Sequence, residues 1–244
     1  MANTTLNNIF LVGGDEFGEK CVEMDSWVLN RTKSPDPVVA IVPTAAAHES
    51  PDIAARNGST HFQKIGAQTI ECMILNKKDA HDQSLLAELS EADLIYFTGG
   101  NPQHLLETIK STPAEKILRE ASIKGTIVAG SSAGAMIMGS QMRFRRWVDA
   151  LGICGNLTIL PHHENSVPEV VVKDCSIQLN KGLNIIGIDG ATGLFVSNGE
   201  AHVIGSGIVT KYARGKFHRY KCGEQFQMYL HYSVATFIPL FTKS

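Results

Sequence analysis

The sequence predicts an α/β fold: a doubly wound, mostly parallel sheet with helices on both faces and an antiparallel extension toward the C-terminus. Three observations lead to this prediction. Short apolar runs alternate with helical patterns over residues 9–138, glycines end the first and fourth of these runs, and an Asn-Gly turn at 198–199 separates two apolar runs. Alternation at this spacing is typical of parallel strands joined by right-handed crossovers.

The elements of the first half follow from this alternation. The predicted strands are residues 9–12, 38–42, 69–75, 94–97 and 125–129, since each is short, apolar and largely β-branched or aromatic. The predicted helices are residues 20–30, 53–65, 83–89, 104–109 and 114–123. Because a parallel sheet binds ligands outside the carboxyl ends of its strands, we expect a site where the first, fourth and fifth strands end.

The second half is predicted to extend the same sheet. Residues 194–196 and 201–204 flank the Asn-Gly turn and form a predicted hairpin, and 157–160, 208–212 and 227–232 are further strand-like runs. No low-complexity linker or internal repeat divides the chain. We therefore expect one domain over residues 1–244.

Composition excludes several classes of protein. The chain is 43% hydrophobic and 19% charged with a net charge of −2, so there is no basic excess for nucleic acid or an anionic membrane. No apolar run is long enough to span a bilayer. The five cysteines are scattered, which argues against a disulfide framework or a zinc ribbon. No secretory signal is visible at the N-terminus, so the sequence predicts a cytoplasmic protein.

The segment GSSAG at 130–134 is the strongest chemical signal. It follows a predicted strand and precedes a helical pattern, which is the context of a nucleophile elbow. Its glycines leave room for a tight turn, its central residue Ser132 is presented at the apex, and Ala133 offers a backbone N–H to the reacting oxygen. The alternative is a plain small-residue turn that packs a helix on a sheet.

Several ordered motifs agree with this interpretation. They are LVGG at 11–14, IVPT at 41–44, FTGGN at 97–101, AGSSAGA at 129–135 and IGSG at 204–207. Together they resemble the peptidase family that contains cyanophycinase and the aspartyl dipeptidase called dipeptidase E. The resemblance covers roughly the whole chain and implies a fold similar to class I glutamine amidotransferases. It also implies a serine hydrolase of peptide or isopeptide bonds that needs no metal or cofactor.

A serine nucleophile needs a base and a group that orients the base. His162 ends the run at 157–160 downstream of the elbow, and the family's histidine occupies a similar loop, which favours His162 over His163. The family's usual glutamate position falls on Gly190, so the chain departs from the pattern there. Asp189 is the predicted third residue; Asp149 or a dyad without an acid are the alternatives.

The remaining candidates concern the oxyanion and the substrate. Ala133 and Gly100 are predicted oxyanion donors, because the turn after the fourth strand lies beside the elbow. Asn101 and the cluster Arg143, Arg145 and Arg146 are candidate substrate-binding residues, although such a cluster is commonly a solvated surface.

The predicted substrate is a small peptide. Cyanophycinase-like members carry arginines close behind the histidine, whereas residues 163–168 contain no lysine or arginine, so a charged polymer fits poorly. A short peptide with an N-terminal aspartate fits better. The sequence leaves the oligomeric state open, a homodimer included.

Two other functions stay open. One is an α/β-hydrolase esterase with Ser132, Asp189 and either His231 or His218, although no His-Gly-Gly oxyanion loop is visible. The other is a non-catalytic member that binds a small ligand, which the missing glutamate suggests. A glutaminase is disfavoured because its elbow carries cysteine where this chain has Ser132.

Overall fold

The computed structural model describes residues 8–228 of the chain. The helices are α1 (Val22–Leu29), α2 (Pro51–Lys64), α3 (Gln83–Glu91), α4 (Pro102–Ile109), α5 (Pro113–Lys124), α6 (Ala133–Met138), α7 (Pro168–Asp174) and α8 (Ser176–Asn180). Short 3-10 helices lie at Glu19–Cys21, Thr44–Ala46, Asp79–His81 and His163–Asn165. The strands are β1 (Ile9–Val12), β2 (Val38–Val42), β3 (Gln68–Glu71), β4 (Leu94–Phe97), β5 (Ile127–Ser131), β6 (Gln141–Phe144), β7 (Arg146–Asp149), β8 (Leu157–Leu160), β9 (Asn184–Ile188), β10 (Thr192–Ser197), β11 (Glu200–Gly205), β12 (Ile208–Ala213), β13 (Lys216–Lys221) and β14 (Gln225–Gln227).

The main sheet has eight strands in the order β14-β11-β10-β1-β5-β4-β2-β3. The five strands from β1 to β3 in this order are parallel, and β10, β11 and β14 add an antiparallel edge. The predicted fold class is therefore confirmed. The antiparallel hairpin predicted around the Asn-Gly turn is also present, as β10 and β11.

Helices cover both faces of this sheet because its strands are apolar on both sides. Phe10 and Val12 of β1 pack in one buried cluster with residues of α1 and α2. Ile9 and Leu11, which point the other way, pack in a second cluster with residues of α3 to α6. Strands buried on both faces explain why these runs are continuously apolar rather than alternating.

A second sheet corrects one prediction. The runs at 157–160 and 208–212 were expected to extend the main sheet, but they form β8 and β12 of a four-stranded sheet ordered β13-β12-β9-β8. Ile208 is fixed to the end of β9, because its N–H donates to the Asp189 carboxylate at 2.9 Å and its carbonyl accepts from the Asp189 N–H at 3.1 Å. These bonds direct β12 to β9 instead of to β11.

Other element boundaries also differ from those predicted. The third strand ends at Glu71 rather than at residue 75, and the strand before the elbow runs from Ile127 to Ser131. The arginine-containing segment forms the β6–β7 hairpin, which the sequence did not reveal. Of the predicted strand at 227–232, Gln227 ends β14 and the part beyond residue 228 lies outside the described residues.

Two further features concern the length of the helices and the state of the cysteines. Within residues 8–228, no helix combines the length and apolar character required to cross a bilayer. All five cysteines are free thiols, and four of them are buried.

Candidate active site

The carboxyl ends of three neighbouring parallel strands form the site. β5 lies between β1 and β4, with Val12 opposite Ser131 and Phe97 opposite Gly130. Since parallel strands end on one edge of a sheet, the glycine turns after β1 and β4 lie beside the residue that follows β5. The expectation that these three strand ends meet is therefore confirmed.

Ser132 lies on a sharp turn between β5 and α6. Its backbone has φ 47° and ψ −106°, a sparsely populated conformation of the kind found at a nucleophile elbow. A Cβ on Gly130 would lie 2.4 Å from the Gly134 carbonyl carbon, and one on Gly134 would lie 2.5 Å from the Phe97 oxygen. Both glycines are thus required by close backbone packing. Ser132 itself is half-buried and its side chain is accessible.

His162 contacts Ser132. Its Nε2 atom lies 3.2 Å from Ser132 Oγ. This is within the hydrogen-bonding distance that a serine nucleophile and its general base require. The His162 N–H donates to the Gly13 carbonyl at 2.8 Å, and the residue adopts a left-handed backbone with φ 50°. This backbone turns the imidazole onto Gly14, where a Cβ would lie 2.1 Å from His162 Cε1. Gly14 therefore provides the surface on which the ring lies.

His163 has a different environment from its neighbour. It is buried, and its Nε2 lies 2.7 Å from the Tyr212 hydroxyl, which belongs to β12. Burial lowers the pKa of the His163 ring, because desolvation disfavours the charged imidazolium. His163 thus packs the second sheet against the loop that carries His162.

The predicted acids do not reach His162. The Asp189 carboxylate accepts the Ile208 N–H, and the Asp149 carboxylate accepts from the Gln141 side-chain amide at 3.2 Å. Within residues 8–228, no carboxylate oxygen lies within 4.0 Å of a His162 ring nitrogen. The sequence placed Asp189 beside His162, whereas in the structure a long-range backbone donor, which no sequence pattern reveals, binds its carboxylate.

Glu164 lies near the same histidine. Its Oε2 accepts the Gly190 N–H at 2.9 Å. Hydrogen bonds from the backbone of Glu164 itself and of Gly190 lower the pKa of the Glu164 carboxyl, and the nearby His162 charge lowers it further. Glu164 is exposed, so it links the histidine loop to the turn after β9 at the surface.

Glu16 is a site residue that sequence reasoning missed. Its Oε2 accepts from the Ser131 hydroxyl at 2.7 Å, and its Oε1 accepts from the Gly99 N–H at 2.7 Å. One carboxylate therefore joins the elbow to the turn after β4. The only signal in the sequence was the acidic residue shortly after the LVGG motif, which has no pattern of its own.

The two predicted oxyanion donors have free N–H groups. Among the described residues, neither the Gly100 nor the Ala133 N–H has an acceptor. Gly100 has φ 135°, and a Cβ there would lie 2.4 Å from the Ala45 carbonyl oxygen, so only glycine fits. Asn101 follows this turn and caps α4, with its side-chain oxygen accepting the N–H groups of the second and third helical residues.

The three predicted arginines do not converge. Arg143 pairs with Asp174 at 3.8 Å and contacts the Cys175 sulfur at 3.7 Å, so it ties β6 to α7. Arg146 lies opposite Phe144 in the hairpin, which directs it to the other face of the ribbon from Arg143. Arg145 lies in the turn, with its guanidinium 5.6 Å from the Phe144 ring. At most two of the three are therefore free to bind a ligand together.

The alternative histidines are not brought to Ser132 in the part of the chain that the structure describes. His218 lies on β13 opposite Lys211, in the outermost strand of the second sheet. His231 lies outside the described residues. Over the same described range, no group of three or more His, Cys, Asp or Glu side chains is arranged to hold a metal ion.

Sequence comparisons match most of the chain to a peptidase family. A model of the family described as "Peptidase family S51" matches residues 9–204. An uncharacterized peptidase of Listeria innocua is 26% identical over 189 residues, which cover 73% of this chain and 86% of the relative. A cyanophycinase of Synechococcus elongatus is 26% identical over 222 residues, which cover 83% of this chain and 66% of the relative.

Solved structures share the fold. A peptidase from an acI-B1 Actinobacterium superposes with a TM-score of 0.80 at 23% identity, covering 91% of this chain and 97% of that one. A putative peptidase E protein of Listeria monocytogenes superposes with a TM-score of 0.60 at 23% identity, covering 82% and 98%. At this level of identity the likeness concerns the fold.

Proposed function

Because this chain belongs to peptidase family S51 and is a serine-type peptidase, we propose that it hydrolyses short peptides with Ser132 as nucleophile and His162 as general base. The single observation that carries the proposal is the 3.2 Å contact between Ser132 Oγ and His162 Nε2. It joins an accessible hydroxyl on a strained turn to an accessible imidazole.

The proposed reaction has two halves. Ser132 Oγ attacks the scissile carbonyl while His162 Nε2 takes the hydroxyl proton, and the negative oxygen of the tetrahedral intermediate accepts the N–H groups of Gly100 and Ala133. His162 then gives the proton to the leaving amine, and an acyl-enzyme forms. Water, deprotonated by His162, releases the acid and restores the serine.

An N-terminal aspartate is the proposed side chain of the substrate. The histidine loop carries no lysine or arginine over residues 163–168, which argues against a large charged polymer. Arg143 is engaged by Asp174, so the aspartate contact falls to Arg145 or Arg146 on the hairpin. A bidentate contact of this kind contributes roughly 1.5–3 kcal/mol, which is about one to two decades of preference over a neutral residue.

A panel of Xaa-Leu dipeptides tests the proposal with the purified protein. We expect cleavage of Asp-Leu in preference to Ala-Leu. Equal rates would remove the aspartate claim and leave a short-peptide peptidase. A protein that labels with a fluorophosphonate at Ser132 but cleaves p-nitrophenyl esters and no dipeptide would favour the esterase. Failure to label would favour the non-catalytic ligand binder.

A further inference from the structure

Gly190 makes room for the carboxylate of Asp15. The backbone of Gly190 is not in the left-handed region, so its conformation does not require glycine. A Cβ at this position, however, would lie 2.3 Å from Asp15 Oδ2 and 3.1 Å from Asp15 Cγ. The missing side chain at 190 and the carboxylate at 15 thus share one space.

The segment that carries Asp15 lies between His162 and the turn at 190–191. Gly13 accepts the His162 N–H at 2.8 Å, while the Gly14 carbonyl accepts the Ala191 N–H at 3.0 Å. A Cβ on Gly14 would lie closest to His162 Cε1 and almost equally close to Nδ1 (2.6 Å) and Nε2 (2.7 Å), so Gly14 packs against the ring itself. Asp15 is the next residue along the chain, so its backbone lies one peptide unit from the glycine against which the imidazole packs.

Both partners in this arrangement are unpaired. In residues 8–228, neither the Asp15 carboxylate nor His162 Nδ1 has a hydrogen-bond partner, whereas the Glu164 carboxylate is engaged by the Gly190 N–H. Asp15 also has a left-handed backbone, with φ 57°, and its carbonyl is fixed by the Cys21 thiol at 3.2 Å. Aspartate tolerates this conformation better than most residues, but at some cost in strain.

We propose that Asp15 is the positioning residue of this site: its carboxylate supplies the negative charge behind His162, in the space that Gly190 leaves open. The proposal rests on the function proposed above. As His162 takes the proton from Ser132, its ring becomes an imidazolium, and a carboxylate close to the ring, linked to it through a water, stabilises that form. The titratable groups on the segments packed against His162 are Asp15 and Glu16, which follow Gly13 and Gly14, its chain neighbours His163 and Glu164, and Asp189, whose backbone contacts Gly13.

The first test needs no substrate. The titration of the His162 ring is followed by NMR in the wild-type protein, in Asp15→Asn and in Glu164→Gln. We expect the midpoint of the His162 titration to move to lower pH by about half a unit or more in Asp15→Asn, because the charge that favours the imidazolium is lost. The shift in Glu164→Gln should be smaller. An unchanged midpoint in Asp15→Asn, or a larger shift in Glu164→Gln, would overturn the proposal.

The second test exchanges the two positions. Gly190→Glu alone drives a side chain into the Asp15 carboxylate, and Asp15→Gly alone removes the acid, so each should lower kcat roughly tenfold or more. The double variant Asp15→Gly/Gly190→Glu should be more active than either single variant, since the introduced glutamate enters a space that is now empty. If the loss of kcat in the double variant equals the product of the losses in the two single variants, the side chains at 15 and 190 do not share one space. If the wild type cleaves no dipeptide, the proposed function fails, and the NMR titration still decides the role of Asp15.

Discussion

Glu16 and Ser131 are 115 positions apart in the chain, yet the Ser131 hydroxyl donates to Glu16 Oε2 at 2.7 Å. The other oxygen of this carboxylate holds the Gly99 N–H at 2.7 Å. Glu16 therefore fixes the distance between the elbow that presents Ser132 and the turn that presents the Gly100 N–H. A peptidase that stabilises an oxyanion depends on this spacing.

Glu16→Ala should lower kcat by roughly 10–100-fold with a smaller effect on KM, because the Gly100 donor loses its position in the transition state. Glu16→Gln should retain much of the activity, since its amide oxygen accepts the Gly99 N–H and its amide nitrogen donates to Ser131 Oγ. Steady-state kinetics on a cleaved dipeptide measures both. Glu19→Gln, at an exposed neighbouring position, is the matched control and should behave as wild type. Equal losses in Glu16→Ala and Glu16→Gln would mean that charge, rather than spacing, is what Glu16 supplies.

Ser132→Ala should remove nearly all activity and leave the fold intact, because the accessible hydroxyl contributes little to stability. Ser131→Ala should retain appreciable turnover, although the Glu16 carboxylate loses one donor. Activity and thermal melts of the two variants test this ranking. The reverse ranking would remove Ser132 from the role of nucleophile.

The elbow conformation also predicts an effect on stability. With φ at 47°, residue 132 is strained when it carries a Cβ, so Ser132→Gly should melt above Ser132→Ala. Relief of about 1 kcal/mol would raise the melting temperature by roughly 2–4 °C in a chain of this size. A lower melting temperature for the glycine variant would show that the turn is not strained.

The two adjacent histidines should respond oppositely to substitution. His162→Gln should lower kcat/KM by roughly 10³-fold or more with little loss of stability, as the ring is exposed. His163→Gln should keep most of the activity but destabilise the protein, since it disturbs the buried contact with Tyr212. If His162→Gln and His163→Gln lose the same activity, or if His231→Gln is the severe variant, the esterase alternative with Ser132, Asp189 and His231 would be favoured.

His163 also predicts a pH dependence of stability. Burial lowers the pKa of His163 in the folded protein below its unfolded value, which is about 6.5. The unfolded chain then binds more protons, so the free energy of unfolding falls as the pH drops below about 6.5 and is fully retained above it. Urea titrations should show that the free energy of unfolding falls more between pH 8 and pH 5.5 in the wild type than in His163→Gln. Parallel losses in the two proteins would contradict this assignment.

The arginines of the β6–β7 hairpin give a prediction on specificity. Arg146→Ala or Arg145→Ala should lower kcat/KM for Asp-Leu by about one to two decades while leaving Ala-Leu unchanged. Arg143→Ala should affect both substrates equally, because its guanidinium is held by Asp174 and Cys175. An Asp-Leu-specific loss in Arg143→Ala alone would mean that the structural pair opens when substrate binds.

Patterns within single segments predicted most of the fold and identified the two residues, Ser132 and His162, that the structure brings into contact. The apolar runs of β1, β2, β4 and β5 are buried on both faces, so their strands and parallel order could be predicted from composition and spacing. Ser132 was identifiable because the glycines that flank it are needed for one particular turn. His162 was identifiable because it follows a strand that ends near that turn.

Long-range partners could not be predicted in this way. The run at 208–212 has the composition of a strand in either sheet, and only its bonds to Asp189 assign it to the second one. The same bonds hold the Asp189 carboxylate at the start of β12, although the sequence had predicted it beside His162. Glu16 lies in a loop whose role depends on residues more than eighty positions away, so no local pattern marks it.

The position of β1 in the main sheet has a consequence for synthesis. β1 precedes the other described strands in the chain, so it is synthesised before them, and its entirely apolar residues pair with β5 on one side and with β10 on the other. Until the segment from Thr192 to Ser197 has been made, the second edge of β1 stays open. A truncated chain that ends before residue 192 contains both Ser132 and His162 but leaves β1 as an exposed, apolar edge strand, with which other chains can pair and aggregate.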